Sequence, residues 1–175
     1  MAVLRRHTRL VAAVVLLGLA TLTFVLAYFE PQKLFIDDRV SEGLPAPRAP
    51  VPGAPADETP AVRTLSRAPF RSYEHATSGR ARVLAYADGR RYVRFEAFRT
   101  SNGPGLKVYL SAAPATGPGG TFDDRYVDLG DLKGNIGAQN YAIPRGVRLD
   151  RYRSVVIWCK RFGVPFGAAA LRAGA

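Results

Sequence analysis

Ser154–Lys160 reads Ser-Val-Val-Ile-Trp-Cys-Lys and contains the only cysteine and the only tryptophan of the 175-residue chain. The run of β-branched residues favours a strand, because their stiff side chains pack well on a pleated surface. Alternate residues of a strand point to opposite faces, so Val155, Ile157 and Cys159 share one face, and the residues between them, Trp158 included, share the other. Both faces are apolar, which predicts a central strand covered on both sides.

Cys159 has two interpretations at this stage. Free cysteine is among the most buried residue types and packs like a small hydrophobe, which favours a place in the core. The functional alternative is a redox thiol or a cofactor ligand. Arg161 would lie on the same face if the strand continued, and a guanidinium there would favour the reactive thiolate. A single cysteine excludes an intramolecular disulfide, so the fold has to rely on its core.

Near the N-terminus, residues 10–29 form twenty consecutive positions without a charge. At about 1.5 Å per residue they span roughly 30 Å, the thickness of the bilayer hydrocarbon. Arg5, Arg6 and Arg9 precede this segment, and basic residues stay on the cytoplasmic side. We therefore predict a single-pass protein of the plasma membrane, with residues 1–9 in the cytoplasm and the rest of the chain outside it.

A cleaved signal peptide is the alternative for this segment. The apolar region of a signal peptide is usually about 7–15 residues long and ends at an Ala-x-Ala-like site. Here the apolar run is longer, and it ends in Leu26-Ala27-Tyr28-Phe29, which is a poor cleavage site. The sequence favours an uncleaved signal anchor.

The composition changes after the anchor. Seven prolines fall between Pro31 and Val62, and no apolar periodicity survives there. Proline-rich segments are extended and semi-rigid. The stretch 30–62 is therefore predicted to be a linker that holds a domain at 63–175 away from the membrane.

The predicted domain consists of short apolar runs separated by turn residues. Asp88-Gly89 is typical of a hairpin turn, and the run after it places Val93, Phe95 and Ala97 on one face. Without a long helical pattern, this arrangement predicts an all-β fold, a β-sandwich on a single N-terminal transmembrane helix. The predicted strands are 80–87, 91–98, 106–111, 125–129, 140–143, 154–160 and 163–171.

The segment 128–141 is rich in glycine, asparagine and aspartate. It predicts turns, with Gly134 and Gly137 at dihedral angles that favour glycine. A phosphate-binding glycine pattern is absent, and the aspartates do not have the alternate spacing of a calcium loop.

Several short motifs follow one another between positions 67 and 171. They are His75-Ala76-Thr77-Ser78-Gly79, FRTSNGP at 98–104, VYLS at 108–111, DLGDLKGN at 128–135, GAQNY at 137–141, Ile143-Pro144, SVVIWCK at 154–160 and FGVPFG at 162–167. Together and in this order they resemble the DM13 domain, here in a membrane-anchored protein of bacterial type. The chain departs from the family pattern at Ala68-Pro69, where a glycine is usual, and at Gly105, where an acidic residue is usual.

The resemblance implies a β-sandwich and a role in electron transfer centred on Cys159. The cysteine would act as a bare thiol or as a ligand to a prosthetic group such as haem. The cofactor itself stays unknown.

His75 is the only histidine outside the predicted membrane and cytoplasmic segments. It is either a local hydrogen-bonding group before a Thr-Ser-Gly turn or a ligand or proton partner for Cys159. One cysteine and one histidine are too few for a structural zinc site, so no metal site is expected. No Cys-x-x-Cys-His motif is present, which excludes covalent c-type haem attachment.

The formal net charge is +11, from 25 basic and 14 acidic residues. Such a balance is typical of nucleic-acid binding, but the domain is predicted to lie outside the cytoplasm and no basic run is interleaved with aromatics. We therefore expect no nucleic-acid partner. The positive charge is expected to attract an anionic lipid surface or envelope polymer instead. A redox partner protein is the other expected partner.

Two functions are left open. The first is an extracytoplasmic domain that takes part in electron transfer or thiol redox chemistry through Cys159. The second is a non-catalytic binding or structural module of the cell envelope, with Cys159 buried as core. A serine hydrolase is not supported, because the Gly-x-Ser-x-Gly motif is absent. Whether the protein is an enzyme is not decided by the sequence.

Overall fold

The computed structural model describes residues 2–29, 36–47 and 62–171. Within these ranges the chain forms one long helix followed by nine strands, which confirms the predicted all-β class. The helix is α1 (Ala2–Phe29). The strands are β1 (Arg39–Ser41), β2 (Val62–Ser72), β3 (Ser78–Tyr86), β4 (Arg91–Arg99), β5 (Leu106–Ser111), β6 (Tyr126–Asp131), β7 (Ile136–Ile143), β8 (Ser154–Cys159) and β9 (Val164–Ala170).

Helix α1 contains the apolar stretch Leu10–Tyr28, whose mean hydropathy is 2.7. Its length and composition are sufficient to cross a membrane, and signal sequences share them. Side chains such as Leu17, which is 69% exposed, do not pack against the strands. A helix that is apolar on all sides and unpacked has lipid as its natural surroundings. The orientation, the identity of the membrane and the retention of the segment stay predictions.

The strands form one continuous, curled sheet in the order β1-β7-β4-β3-β2-β9-β8-β5-β6. Strand β2 belongs to both halves of this sheet, because its first part pairs with β3 and its last part, Phe70–Ser72, pairs with β9. The shared strand allows the sheet to fold over on itself. The result resembles a β-sandwich, with a hydrophobic core between the two halves.

Strand β8 lies at the centre of one half, between β5 and β9. Its inner residues Val155, Ile157 and Cys159 pack in the main core with Phe95 from the opposite half. The other face is also covered, since Trp158 packs in a second cluster under the loop 112–125. The predicted central strand with two apolar faces is confirmed.

Strand β4 departs from its predicted alternation. Val93 and Phe95 point into the core as expected, but Ala97 is exposed and Phe98 takes the inward position. A register shift between Phe95 and Phe98 in the pairing with β7 marks a β-bulge, and Ala97 has a φ of 47°. The extra residue of a bulge reverses the inward and outward positions that follow it, which the simple period of two did not anticipate.

Strand β1 lies within the stretch that the sequence assigns to the linker. It pairs in parallel with the start of β7, so that Arg39–Ser41 forms an edge strand of the sheet. The glycines of the 128–141 segment explain how it approaches so closely. A Cβ on Gly137, whose φ is 107°, would lie 2.0 Å from the Val40 carbonyl oxygen, and one on Gly134 would lie 2.5 Å from the Asp38 carbonyl oxygen. The rest of the linker, 30–35 and 48–61, lies outside the described residues, and the domain boundaries stay predictions.

Glu42 connects the segment 36–47 to β7 through hydrogen bonds. Its carboxylate accepts hydrogen bonds from Lys133 Nζ at 2.6 Å and from the Asn140 backbone N–H at 2.7 Å. Partial burial raises the pKa of this carboxyl, but the hydrogen bonds from Lys133 and Asn140 and the lysine charge outweigh it, so the pKa lies below the ordinary value of 4.5. The ionised form of Glu42 therefore stabilises the folded state.

We expect Glu42→Gln to lower the free energy of unfolding by about 1 kcal/mol at pH 7, because charge-assisted hydrogen bonds are lost at a partly exposed site. Since the folded pKa lies below the unfolded one, the contribution is present above pH 4.5 and fades as the pH falls further. Denaturation followed by Trp158 fluorescence at several pH values measures both effects. The matched control is Asp150→Asn, whose ion pair with Arg148 is exposed and should not matter. A constant difference between Glu42→Gln and the wild type down to pH 3 would contradict the assignment.

Candidate functional site

Cys159 is the last residue of β8 and is fully buried. Its thiol donates a hydrogen bond to the Pro104 carbonyl oxygen, with Sγ 3.3 Å from the oxygen. Pairing with Leu106 on one side and Val164 on the other encloses it further. A reagent or partner in solution cannot reach the sulfur without local opening of the domain.

Arg161 does not take the position that a continued strand would give it. Strand β8 ends at Cys159, and the next residues form the β8–β9 turn (Lys160–Gly163), closed by a hydrogen bond from the Gly163 N–H to the Cys159 carbonyl. The Arg161 guanidinium lies over the ring of Tyr28, with Cζ 3.9 Å from the ring centroid. It therefore faces the end of helix α1.

His75 lies in the connection between β2 and β3, at the same end of the sandwich as Cys159. Its Nδ1 is 3.0 Å from Ser101 Oγ, and its ring stacks on Phe166 with the centroids 3.8 Å apart. The imidazole therefore joins two segments that are distant in sequence, whereas the sequence suggested a hydrogen bond within the local turn. His75 and Cys159 thus have different partners, Ser101 for the imidazole and Pro104 for the thiol.

A hydrogen-bond network holds Phe166 in place beneath His75. Thr77 Oγ1 donates to the Phe166 carbonyl at 3.0 Å and lies 2.8 Å from Thr100 Oγ1. Gly167 makes this contact feasible, because a Cβ there would lie 2.6 Å from the Thr77 side chain. The position of the Phe166 ring therefore depends on a buried polar contact and on the absence of a side chain next to it.

These residues surround a pocket of about 310 Å³, which we call the His75 pocket. Aromatic rings and proline supply most of its wall, while an imidazole, an amide and a carboxylate supply its polar groups. The lining residues are Glu74, His75, Asn102, Gly103, Pro104, Phe162, Val164 and Phe166. Cys159 lies behind this wall, joined to it through the Pro104 carbonyl. The volume is at the lower end of the range for small-molecule sites.

The sequence analysis named His75 and Cys159 but missed the pocket that relates them. Its wall is built from three motifs that were recognised only as ordered pieces, 75–79, 98–104 and 162–167. Their order along the chain does not show that they converge, because the convergence is produced by the folding of the sheet. The positions of Phe162 and Phe166 follow from the turn and pairing of β9, which the local pattern does not specify.

Haem ligated through Cys159 does not fit this arrangement. An axial ligand has to present its sulfur to the haem face. Here Sγ is fully enclosed and hydrogen-bonded to Pro104. In the part of the chain that the structure describes, no group of three or more His, Cys, Asp or Glu side chains is arranged to hold a metal ion.

The sequence profile of the family described as "Electron transfer DM13" matches residues 69–171, which is more than half of the chain. The protein therefore belongs to the DM13 family, and the match includes most of the strands that form the sandwich and the whole of the His75 pocket. No curated protein matches the chain, and no solved structure does.

Proposed function

We propose that this protein is a membrane-anchored electron-transfer domain that binds a flat, mostly apolar redox molecule in the His75 pocket. The observation that carries the proposal is the place of the pocket in a chain of the electron-transfer DM13 family. It lies where three family motifs meet, and its wall is hydrogen-bonded to Cys159.

The pocket walls suit a conjugated ring better than a polar metabolite. The stacked His75 and Phe166 rings and the nearby Phe162 offer π surfaces, on which an aromatic molecule packs in offset or edge geometry. His75 and Asn102 are polar groups that can orient a carbonyl or hydroxyl substituent. Such a combination of apolar walls and few polar groups is typical of small-molecule sites.

In this proposal Cys159 is a positioning residue. Its thiol hydrogen bond fixes the Pro104 carbonyl and so the shape of the pocket wall. The hypothesis that Cys159 itself carries the electron as a thiol, or ligates a group, requires the domain to open first. Local opening of folded domains is common, but a buried thiol that is reached only in this way reacts slowly.

The proposal is tested with menadione, a small naphthoquinone, as the probe. We expect the full chain, purified in mild detergent, to bind it, and His75→Ala and Phe166→Leu each to weaken binding at least about tenfold, equivalent to about 1.4 kcal/mol. The matched control is Tyr126→Ala, an exposed aromatic away from the pocket, which should leave binding unchanged. A wild-type chain that binds no menadione and carries no chromophore would remove the proposal.

A second function is favoured by a specific observation, the complete burial of Cys159 among core residues. It is a non-catalytic binding or structural module of the cell envelope, in which the cysteine serves only as a buried residue of the hydrophobic core. The menadione experiment separates the two, since a structural module has no reason to depend on His75 and Phe166 for binding a quinone.

A further inference from the structure

The β8–β9 turn touches the end of helix α1. The Arg161 guanidinium carbon lies 3.9 Å from the centroid of the Tyr28 ring, a cation–π contact. Tyr28 is the last residue of the stretch that is apolar enough to cross a membrane. If the helix crosses a bilayer, this contact places the turn at the level where the helix leaves the lipid.

A second connection joins the same end of the sandwich to the helix. Asn102 Nδ2 donates a hydrogen bond to the Ile36 carbonyl at 2.5 Å. Ile36 follows Phe29 by seven positions, and a chain of that length spans at most about 25 Å whatever its conformation. Ile36, and with it the start of the segment that bonds to Asn102, therefore lies within about 25 Å of the end of the helix.

The composition of the turn suits a membrane surface. Phe162 is 56% exposed, and Lys160 beside it is exposed as well. Aromatic and basic residues are enriched at the boundary between lipid and water. Four exposed acidic residues lie at the same end, so the attraction to anionic headgroups is confined to the turn itself; they are Asp37, Asp38, Glu74 and Asp131.

We propose that the β8–β9 turn rests on the surface of an anionic bilayer, with Phe162 in the interfacial region and Lys160 among the headgroup phosphates. The inference rests on the membrane anchoring proposed above and is independent of electron transfer. Because Phe162 and Asn102 also line the His75 pocket, the pocket then opens beside the lipid. A hydrophobic redox molecule could enter it from the membrane without crossing water.

The test uses the full chain carrying Phe162→Trp, reconstituted into vesicles of phosphatidylcholine and phosphatidylglycerol. The phosphatidylcholine carries bromine on its acyl chains, which quenches nearby indoles. Tyr126→Trp is the matched control, because Tyr126 is 41% exposed and lies on β6 next to Ser111, at the opposite end of the sandwich. The unmodified chain supplies the background of the buried Trp158, and co-flotation with the vesicles reports on anchoring.

We expect strong quenching of the indole introduced at position 162 and none beyond background at position 126. The additional substitution Lys160→Glu should reduce the quenching in anionic vesicles. A chain that floats with the vesicles but shows equal or no quenching at the two positions would overturn the docking and leave the anchoring intact. A chain that does not float would overturn the anchoring and the docking together, while menadione binding would be unaffected.

Discussion

Gly167→Ala is expected to destabilise the domain by about 2–3 kcal/mol, because the new methyl group has no room and overpacking strains the core. A Cβ at this position would lie 2.6 Å from the side chain of Thr77. Thr77 cannot turn away freely, since its hydroxyl is bonded to Thr100 and to the Phe166 carbonyl. The strain is therefore transmitted to Phe166, and the stacking of His75 should be lost with it.

Chemical denaturation of the full chain in detergent measures this effect, with the fluorescence of Trp158 as the reporter. Trp158 is the only tryptophan and is 3% exposed, so its emission follows the unfolding of the sandwich and not the helix. The matched control is Gly146→Ala, where a Cβ meets no atom within 4 Å and no change beyond about 0.5 kcal/mol is expected. Equal stability of the two variants would show that the Thr77 contact is not tight.

Cys159 should react with a maleimide at least about 1,000-fold more slowly in the native chain than in denaturant. The sulfur is fully buried, so the reagent reaches it only through openings that cost a large part of the folding free energy. Labelling is quantified by mass spectrometry at one pH, in native and denatured protein. With a single cysteine in the chain, every label reports on this site.

Fast labelling of the native protein would contradict the burial of Cys159 and support the exposed redox thiol. A useful comparison is Gly167→Ala under native conditions. If its destabilisation opens the same part of the sandwich, labelling of Cys159 should accelerate in proportion to the lost stability.

The strand that contains Cys159 was predictable because its signal is local. β-branched residues and apolar side chains on both faces specify a buried strand without reference to any partner. The hairpin at Asp88-Gly89 was predictable for the same reason, since Gly89 has a φ of 80° and the Asp88 side chain accepts a hydrogen bond from the Arg90 N–H.

Strand β1 was not predictable from its own residues. Arg39-Val40-Ser41 shows no alternation long enough to indicate a strand, and prolines follow it closely. It forms because Gly134 and Gly137, almost 100 positions later, leave room for its backbone. The sequence analysis attributed both glycines to turn dihedral angles. Gly137 does have a positive φ of 107°, but it lies within β7, and at both positions the close approach of β1 leaves no room for a side chain.

The candidate site likewise combines features that the sequence could predict with features that it could not. The sequence singled out Cys159 and His75 by their chemistry, and the family resemblance supplied a role. The contacts that define the site, between Cys159 and Pro104 and between His75 and Phe166, depend on how the two halves of the sheet fold over. Side-chain chemistry along the chain does not determine those distances.

The most direct test of electron transfer is a spectroscopic redox titration of the full chain. The protein is purified in mild detergent from the membranes of the cells that produce it, and menadione is added if no chromophore is retained. The account predicts a reversible transition of the protein-bound molecule, altered in potential or lost in His75→Ala and unchanged in Tyr126→Ala. A wild-type protein that shows no bound transition, with or without menadione, would contradict it.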